Sequence, residues 1–305
     1  MNRKIPVLVL AFNRADHVAE AMKPIKAYQP VQLYLACDGP RANKDGEREA
    51  VDVVRKTMLD MVDWPCEVRT LFRDENLGCA NAVYGAITWF FEHEEYGIIV
   101  EDDVVLSQDF FLLCEDLLLR YAAEERVMQI SARNTSRRKD KNNTYLYTQC
   151  FHCWGWATWR RAWMRMDMSM SAVNRVSTFY LIRHLGILRG IMMRKAFCEG
   201  YNHLDTFNSW ATRWYLSILD HDALVICPGV NLAINIGMAN GAHFNRYDAE
   251  RPGSSLFIDN FEWPIKHNDS LLIDTRQTIY DSNFFFRDRI FGFKKKIRQK
   301  LYNLF

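Results

Sequence analysis

Short apolar runs, each followed by polar, turn-forming residues, recur along the first half of this 305-residue chain. They are spaced by roughly 25–35 residues, which is the size of one strand–helix unit. Runs this short are typical of strands, and one without a charged residue, such as the run from Gly97, is typical of a strand buried on both faces of a parallel sheet. We therefore expect five strands, which begin near Pro6, Val31, Cys66, Gly97 and Val127.

The segments between these runs carry apolar residues at helical spacing. Val51, Val54 and Met58 share one face of a helix in the second gap. Alternating strands and helices predict an α/β fold with a Rossmann-like, mostly parallel sheet flanked by helices. In the third gap the helical face consists of Ala80, Val83, Tyr84, Ile87, Phe90 and Phe91.

The second half of the chain changes character. Residues 145–163 are dense in aromatic side chains, 164–198 are rich in Met, Leu and Ile, and 224–244 return to a strand-like, Gly-rich pattern. We expect these residues to complete the sheet and to build the pocket of a second substrate. The predicted organisation is one domain over 1–265, with a first half 1–132 and a second half 133–265, followed by a tail over 266–305.

Three acids stand where the fourth predicted strand ends. Gly97–Val100 is apolar, and Glu101, Asp102 and Asp103 follow it directly. In open α/β sheets, ligands bind just beyond the carboxyl ends of the strands. Adjacent carboxylates repel one another unless a cation or a donor-rich ligand offsets their charge. Mg²⁺ or Mn²⁺ suits them, since such an ion takes one or two carboxylates and completes its shell with phosphate oxygens and water. The alternative is a solvated acidic turn.

Other predicted strands of the first half also end in polar residues. Arg14 follows the first strand, Asp38 the second, and Asn76 with Gly78 the third. An Arg pairs with a diphosphate in bidentate fashion, and an Asn-x-Gly turn presents amide groups near a helix N-terminus. An Asp accepts hydrogen bonds from a base or a ribose. Each of these is also ordinary turn chemistry when taken singly. Together with the three acids, they predict a nucleotide site at one edge of the sheet.

Composition narrows the classes of function. The chain is 49% hydrophobic and 25% charged, and its body has no basic stripe, which argues against nucleic acid as a partner. Eight scattered cysteines favour reduced thiols in a cytosolic protein over a disulfide framework. We recognise no secretion signal and no stretch of the roughly 20 apolar residues that span a bilayer. The absence of a Walker lysine or a GxGxxG motif disfavours P-loop ATPases and NAD enzymes.

The triplet Glu101-Asp102-Asp103 after an apolar strand resembles the DxD-type motif of GT-A glycosyltransferases. The form is similar to that of N-acetylglucosaminyltransferase I and of related bacterial polysaccharide sugar transferases. The order Asn-Arg, Asp-Gly, Asn-x-Gly and then the triplet also resembles the nucleotide-sugar half of that family throughout 1–132. The resemblance implies a GT-A fold, a nucleotide-diphosphate sugar as donor and Mn²⁺ or Mg²⁺ as cofactor.

The same resemblance implies a role for each of these residues. Asp103 would contact the metal that bridges the two phosphates of the donor. Asp102 would bond the ribose, and Glu101 would bond the donor sugar. Arg14 and Asp38 would hold the nucleotide.

An inverting enzyme also needs a carboxylate that deprotonates the acceptor hydroxyl. Second-half candidates are Asp167, Asp205 and Asp222. We expect Asp205 to be this base, because the family carries its catalytic Asp just before a helix with a similar Trp-rich signature. If residues 207–210 are instead the counterpart of the family's Trp-Asp-Asp-Trp, Ser209 occupies the base position. The structural alternative for Asp205 is a helix cap.

Two further segments resemble the family. Trp154 and Trp156 lie where bacterial members line the donor and acceptor cleft, and aromatic faces can cover the apolar side of a pyranose. Core packing is the equal alternative for both. A Gly-rich segment over 229–241 leads to His243, which could close over the diphosphate as a donor or a metal ligand. A plain surface position is the alternative for His243.

The C-terminal tail is basic and amphipathic. From Asp281 onward it has seven Lys or Arg against two Asp, a net charge of +5 within an overall charge of +2. Such a helix can lie on an anionic membrane surface or pack on the catalytic body. We favour the inner face of the membrane, where a lipid-linked acceptor would also be found. The apolar face of the tail consists of Ile290, Phe293, Ile297, Leu301 and Leu304.

The sequence therefore predicts a cytoplasmic, metal-dependent, inverting glycosyltransferase. It would move a sugar from a nucleotide-diphosphate donor to a glycan or lipid-linked glycan, in surface polysaccharide or lipopolysaccharide synthesis. A nucleotidyltransferase is the first alternative, although residues 11–14 lack the Gly-rich basic signature that grips a triphosphate. A non-catalytic nucleotide-sugar-binding or scaffold protein is the second alternative.

Overall fold

The computed structural model describes residues 4–134, 136, 144–237 and 258–282. Within them, the predicted alternation of strands and helices is present along the whole first half. The strands are Val7–Ala11 (β1), Gln32–Cys37 (β2), Glu67–Phe72 (β3), Tyr96–Glu101 (β4), Val104–Leu106 (β5), Val127–Ser131 (β6), Tyr145–Thr148 (β7), Trp156–Trp159 (β8), Leu224–Pro228 (β9) and Ala233–Asn235 (β10). The helices are Ala15–Tyr28 (α1), Glu47–Asp60 (α2), Gly78–His93 (α3), Gln108–Arg120 (α4), Arg160–Trp163 (α5), Thr178–Leu185 (α6), Ile187–Asn202 (α7) and Trp210–Asp220 (α8).

Eight of these strands form one twisted layer in the order β3-β2-β1-β4-β8-β6-β9-β7. The first four are parallel, as the sequence predicted. Strand β8 runs antiparallel between β4 and β6, while β9 is parallel to β6 and β7 is antiparallel to β9. The predicted fold class, an α/β fold with a Rossmann-like, mostly parallel sheet flanked by helices, is confirmed. Strands from the second half continue the same sheet.

Strand β1 explains why the central runs are apolar without alternation. Val7 and Val9 are fully buried against helices α1, α2 and α4 on one face of the sheet. Leu8 and Leu10 are buried against α3 and α8 on the other face. A strand covered on both faces must be apolar at every position, since neither set of side chains meets water. The core therefore consists of two layers, one on each side of the sheet.

The aromatic segment of the second half belongs to the second of these layers. Trp156 and Trp210 stack with ring centroids 5.7 Å apart, and Trp163 and Trp214 lie within 6.2 Å of Trp156. The indole N–H of Trp214 donates to Gln129 at 2.8 Å, so it has a hydrogen-bond partner inside the apolar cluster. Through this cluster, α5 and α8 pack against strand β8.

A second, smaller sheet forms directly after the acidic triplet. Strands β5 and β10 pair antiparallel, with Val104 opposite Asn235. Residues 102 and 103 make the turn between β4 and β5, so the two aspartates stand at the junction of the two sheets. This junction is where the chain of the second half returns to the carboxyl edge of β4.

Among the described residues, no helix combines the length and the apolarity that a membrane crossing requires. The predicted amphipathic tail beyond residue 282 lies outside the described residues. The division into a domain over 1–265 and a tail over 266–305 stays a prediction.

Candidate functional site

The carboxyl ends of β1, β2 and β4 open onto one cavity of about 450 Å³. This volume is in the range of pockets that bind small molecules and cofactors. Its walls are partly apolar, through Phe12, Ala82 and Val83. Six of the residues predicted from the sequence line this cavity together: Arg14, Asp38, Asn76, Gly78, Glu101 and Asp102.

Strand register brings Arg14 to the acidic triplet. In the parallel pairing of β1 with β4, Leu10 lies opposite Glu101, so the chain leaving β1 passes beside the acids that follow β4. Arg14 ends that short loop as the residue before α1. Its guanidinium donates to both carboxylate oxygens of Asp102 and, at 3.0 Å, to Oδ2 of Asp103. One side chain therefore contacts two neighbouring carboxylates.

Burial and mutual repulsion act on the protonation of the triplet. Burial, followed by the negative charges of Asp103 and Asp102, raises the pKa of Glu101 to about 8, against the lowering effect of Arg14. Burial also raises the pKa of Asp102, against the lowering effect of Arg14. Burial by itself would lower the pKa of Arg14, but the two aspartates outweigh it and raise that pKa. Near neutral pH the arrangement is two aspartates around one guanidinium, beside a Glu101 that keeps its proton.

Asp103 is held from the second half of the chain. The side-chain amide of Asn235 donates to Asp103 Oδ1 at 3.1 Å, and the backbone N–H of Ile236 donates to its carbonyl at 2.8 Å. Gly237 follows so closely that a Cβ there would lie 2.4 Å from Asp103 Oδ2 and 2.9 Å from Nη1 of Arg14. Position 237 therefore requires glycine for the observed approach.

Asp38 and Asn76 hold the loop that precedes α3. The Asp38 carboxylate accepts from the backbone N–H of Leu77 at 3.1 and 3.2 Å. Asn76 donates to the carbonyl of Gly39 at 2.9 Å and accepts from the N–H of Gly78 at 3.2 Å. Burial raises the pKa of Asp38, and its backbone donors act in the opposite direction. Asp38 and Asn76, which were predicted to contact the nucleotide, therefore also stabilise the turn before α3.

The rim of the cavity holds a second basic residue. Arg41 forms an ion pair with the buried Glu47, which also accepts from Asn13 at 3.0 Å. The hydrogen bond from Arg41 lowers the pKa of Glu47 to about 2. The guanidinium carbon of Arg41 lies 5.6 Å from the ring centroid of Phe12, so an aromatic face and a cation stand side by side at the mouth.

Asn208 closes the cavity from the second half. Its Oδ1 accepts from the backbone N–H of Ala80 at 2.8 Å, in the first turn of α3. The predicted base Asp205 lies in an exposed turn between α7 and α8 and is not among the residues that line the cavity. Ser209 caps α8 by accepting from the N–H of Thr212 at 3.3 Å.

The other two carboxylates considered for that role have local partners. Asp167 accepts from Ser169 and Ser171 in the turns before residue 172. Asp222 accepts from Gln149 at 2.7 Å and from the hydroxyl of Tyr180 at 2.8 Å. Neither lines the cavity beside the triplet.

The structure places Trp156 and Trp154, both predicted to contact the substrates, in different surroundings. Trp156 is fully buried in the tryptophan cluster, so its place favours the core-packing alternative. Trp154 is only partly buried, and the guanidinium of Arg133 lies over its ring at 3.6 Å. His243 lies outside the described residues.

The donor set of the triplet fits a small divalent cation. Among the described residues no group of three His, Cys, Asp or Glu side chains is arranged to hold a metal. The carboxylates of Asp102 and Asp103 nevertheless already share one cationic group, the guanidinium of Arg14. Two carboxylates are what Mg²⁺ or Mn²⁺ commonly takes from a protein when substrate phosphates and water supply the remaining ligands.

Several site residues were not predicted as such from the sequence. Phe12 and Arg41 stand within three residues of predicted ones, and Cys79 directly follows Gly78, so a loop-wide search would have included them. Asn208 lies beside the predicted Asp205 and Ser209, and Asn235 lies within the Gly-rich segment 229–241, but no local pattern indicates that the chain of the second half returns to this site.

Comparisons with known proteins place the chain in no family. No protein-family model matches it, and no curated protein matches it. Among solved structures, HddC from Yersinia pseudotuberculosis is similar at 10% identity and a TM-score of 0.32, over 52% of this chain and 77% of that one. The 4-diphosphocytidyl-2C-methyl-D-erythritol synthase of Anaerococcus prevotii is similar at 6% identity and a TM-score of 0.34, over 72% and 86%. Mouse xyloside xylosyltransferase 1 is similar at 8% identity and a TM-score of 0.34, over 72% and 82%. These values are too low to indicate a shared activity.

The raised pKa of Glu101 predicts a pH-dependent stability. The folded protein binds this proton more tightly than the unfolded chain, so stability is lost as pH rises from the ordinary glutamate pKa toward about 8. In EDTA, Glu101→Gln should match wild type near pH 5 and exceed its Tm by a few degrees near pH 8.5, because glutamine cannot ionise. Differential scanning fluorimetry across this range measures the difference. Glu49→Gln removes an exposed carboxylate of α2 as a control, and a Glu101→Gln difference that is constant with pH would contradict the assignment.

Proposed function

We propose that this protein is a metal-dependent, inverting glycosyltransferase that takes its sugar from a nucleotide-diphosphate donor. The single observation that carries the proposal is the cavity beyond β1, β2 and β4, where Asp102 and Arg14 stand beside an apolar wall and the same guanidinium also pairs with Asp103. A nucleotide-diphosphate sugar has the matching parts. Its base is flat and largely apolar on its faces, its diphosphate is anionic, and its sugar carries hydroxyls.

The cavity residues suit these parts of the donor in different ways. Phe12 and Val83 offer apolar surface to a base, and Asp38 offers a carboxylate at the same wall. Glu101 keeps a proton near neutral pH and can both donate to and accept from a sugar hydroxyl. Asp102 would bond the ribose, in keeping with the family resemblance.

A divalent cation at Asp103 would supply Lewis-acid stabilisation of the leaving diphosphate. Asn235 fixes the Oδ1 oxygen of this aspartate, which orients the carboxylate for a ligand on its other side. We include His243 in the proposal as a further ligand or donor. Arg14 can pair with phosphate oxygens in bidentate fashion from the adjoining wall.

The acceptor side of the proposal rests on the second half. Asp205 is the proposed base for the acceptor hydroxyl, and a glycan or lipid-linked glycan is the proposed acceptor. Surface polysaccharide or lipopolysaccharide synthesis, at the inner face of a membrane, is the proposed setting. An acceptor must reach the donor within the cavity, which Asn208 lines from the second half.

The donor half is tested by thermal shift against UDP-, GDP-, CMP- and dTDP-sugars, with Mn²⁺ or with EDTA; CMP-sugars have no diphosphate, so a response to them alone would contradict the proposed donor. We expect one nucleotide class to raise the Tm in Mn²⁺ and not in EDTA, since a ligand that binds only the folded state stabilises it. Asp103→Asn should lose the Mn²⁺-dependent part, because it removes one metal-binding charge and keeps an oxygen that can accept from Asn235. If no nucleotide sugar in the panel changes the Tm, the proposed function is wrong. A response to triphosphates and sugar phosphates instead would support a nucleotidyltransferase.

Cysteine alkylation locates the binding site independently. Cys79 is exposed and lines the cavity, while the partly buried Cys66 stands at the start of β3, on the opposite edge of the sheet. The nucleotide sugar that raises the Tm, added with Mn²⁺, should slow iodoacetamide labelling of Cys79 several-fold and leave Cys66 unchanged, as measured by peptide mass spectrometry. Equal labelling of Cys79 with and without that ligand would place the ligand elsewhere.

The base assignment is tested by comparing Asp205→Asn with Ser209→Ala. Asp205→Asn should keep the donor-induced Tm shift and lose turnover, read as release of nucleoside diphosphate from the donor, because an amide cannot accept the proton. Ser209→Ala removes the side chain that caps α8, so it should cost about 1 kcal/mol of folding free energy and lower the Tm. Its turnover should be retained. Unchanged turnover in Asp205→Asn would assign the base to another residue. Loss of turnover in Ser209→Ala alone would move it to position 209.

A further inference from the structure

The guanidinium of Arg14 stands where a cation of the acidic pair is expected. It contacts both carboxylate oxygens of Asp102 and the Oδ2 of Asp103. The Asp102 and Asp103 side chains are only 6% and 14% exposed, whereas that of Arg14 is 40% exposed. A partly exposed cation is therefore seated on two largely buried anions.

Few positions around the carboxylate of Asp103 are open to a further ligand. Asn235 occupies Oδ1, Arg14 occupies Oδ2, and the backbone of Gly237 stands so close that no Cβ would fit beside Oδ2. A metal ion that takes Oδ2 together with an oxygen of Asp102 meets the same two carboxylates that the guanidinium already holds. Cation and guanidinium also repel each other at such a distance.

We propose that Arg14 is an internal counter-ion that competes with a divalent cation for the carboxylates of Asp102 and Asp103. When the cation binds, the guanidinium leaves the two aspartates and turns toward the cavity, where it pairs with the diphosphate of the donor. This inference rests on the proposed function for the identity of the anionic ligand. The competition itself concerns only the metal and the protein.

The surroundings of Arg14 allow such an exchange. Within the described part of the chain, the hydrogen-bond partners of its guanidinium are the two aspartates alone. The residue precedes α1, its side chain does not cap that helix, and it already lines the cavity. Release from the aspartates thus breaks no other hydrogen bond of the side chain and leaves the charge next to a site for phosphates.

The exchange would couple metal and diphosphate binding. Cation binding alone frees a guanidinium that then lacks a partner, which opposes the binding. A diphosphate that accepts the freed guanidinium removes this penalty, so each ligand should raise the affinity for the other. Arg14 acts here as a positioning residue, because it sets the order and coupling of binding through the metal site.

Binding of Mn²⁺ alone, followed by electron paramagnetic resonance, tests the competition. Arg14→Gln should bind Mn²⁺ about tenfold more tightly than wild type, a difference of about 1.4 kcal/mol, since the charge-assisted hydrogen bonds of the guanidinium no longer need to be broken. Arg14→Lys should fall between the two, because it keeps the charge and loses the planar fork. Lys44→Gln is the control, since it removes one positive charge from an exposed position after β2 without touching Asp102 or Asp103, and it should stay within about twofold of wild type.

Inorganic pyrophosphate tests the coupling. It should tighten Mn²⁺ binding to wild type by a larger factor than to Arg14→Gln, because only wild type has a guanidinium to transfer. Circular dichroism shows whether each variant is folded. If Arg14→Gln is unfolded, the comparison of wild type with Arg14→Lys replaces it.

Two outcomes would overturn the inference. One is Mn²⁺ binding to Arg14→Gln that equals or is weaker than binding to wild type. The other is the absence of Mn²⁺ binding in every variant. Failure of the proposed function is separate from both, because it is a flat response to the nucleotide sugars. Tighter Mn²⁺ binding in Arg14→Gln would then still establish the competition.

Discussion

Parallel pairing of β1 with β4 sets the geometry on which the whole site depends. Because Leu10 lies opposite Glu101, the first polar residues after β1 and the acids after β4 emerge side by side. A shift of this register would move Arg14 along the sheet edge and exchange the side chains that β1 presents to its two apolar layers. Burial of β1 on both faces therefore fixes the core and the contact between Arg14 and the aspartates at the same time.

Several polar residues of the site are held by hydrogen bonds within the protein. Asp38 and Asn76 form the turn before α3, and Asn235 orients Asp103. Such contacts reduce the conformational freedom that a ligand would otherwise have to restrict on binding. Their cost is that each group has fewer free acceptor positions for the ligand itself. Arg14 differs from them, because its partners are the two acids and its side chain is comparatively exposed.

The first half of the chain could be predicted well, since each apolar run corresponds to one strand and each loop stands at a strand end. Six predicted residues from those loops line one cavity, because parallel strands bring their carboxyl ends to the same edge. Asn208 and Asn235 could not be predicted as part of it. Their place depends on the order of β8, β6 and β9 in the sheet and on the pairing of β5 with β10, which local periodicity does not encode. Trp156 shows the same limit, since a tryptophan in a short strand fits a core or a cleft equally well until its neighbours are known.

Charge balance explains why the acidic turn is compatible with a stable ligand-free fold. Three adjacent acids at a buried junction of two sheets would repel one another strongly if all were ionised. Two features of this chain reduce that repulsion: Glu101 retains its proton near neutral pH, and Arg14 neutralises part of the charge of Asp102 and Asp103. A divalent cation would balance the same pair more completely, with two charges against two. Under the proposed function, Arg14 acts as a singly charged substitute for the metal, and its incomplete neutralisation of the two aspartates is what would let them attract a stronger cation.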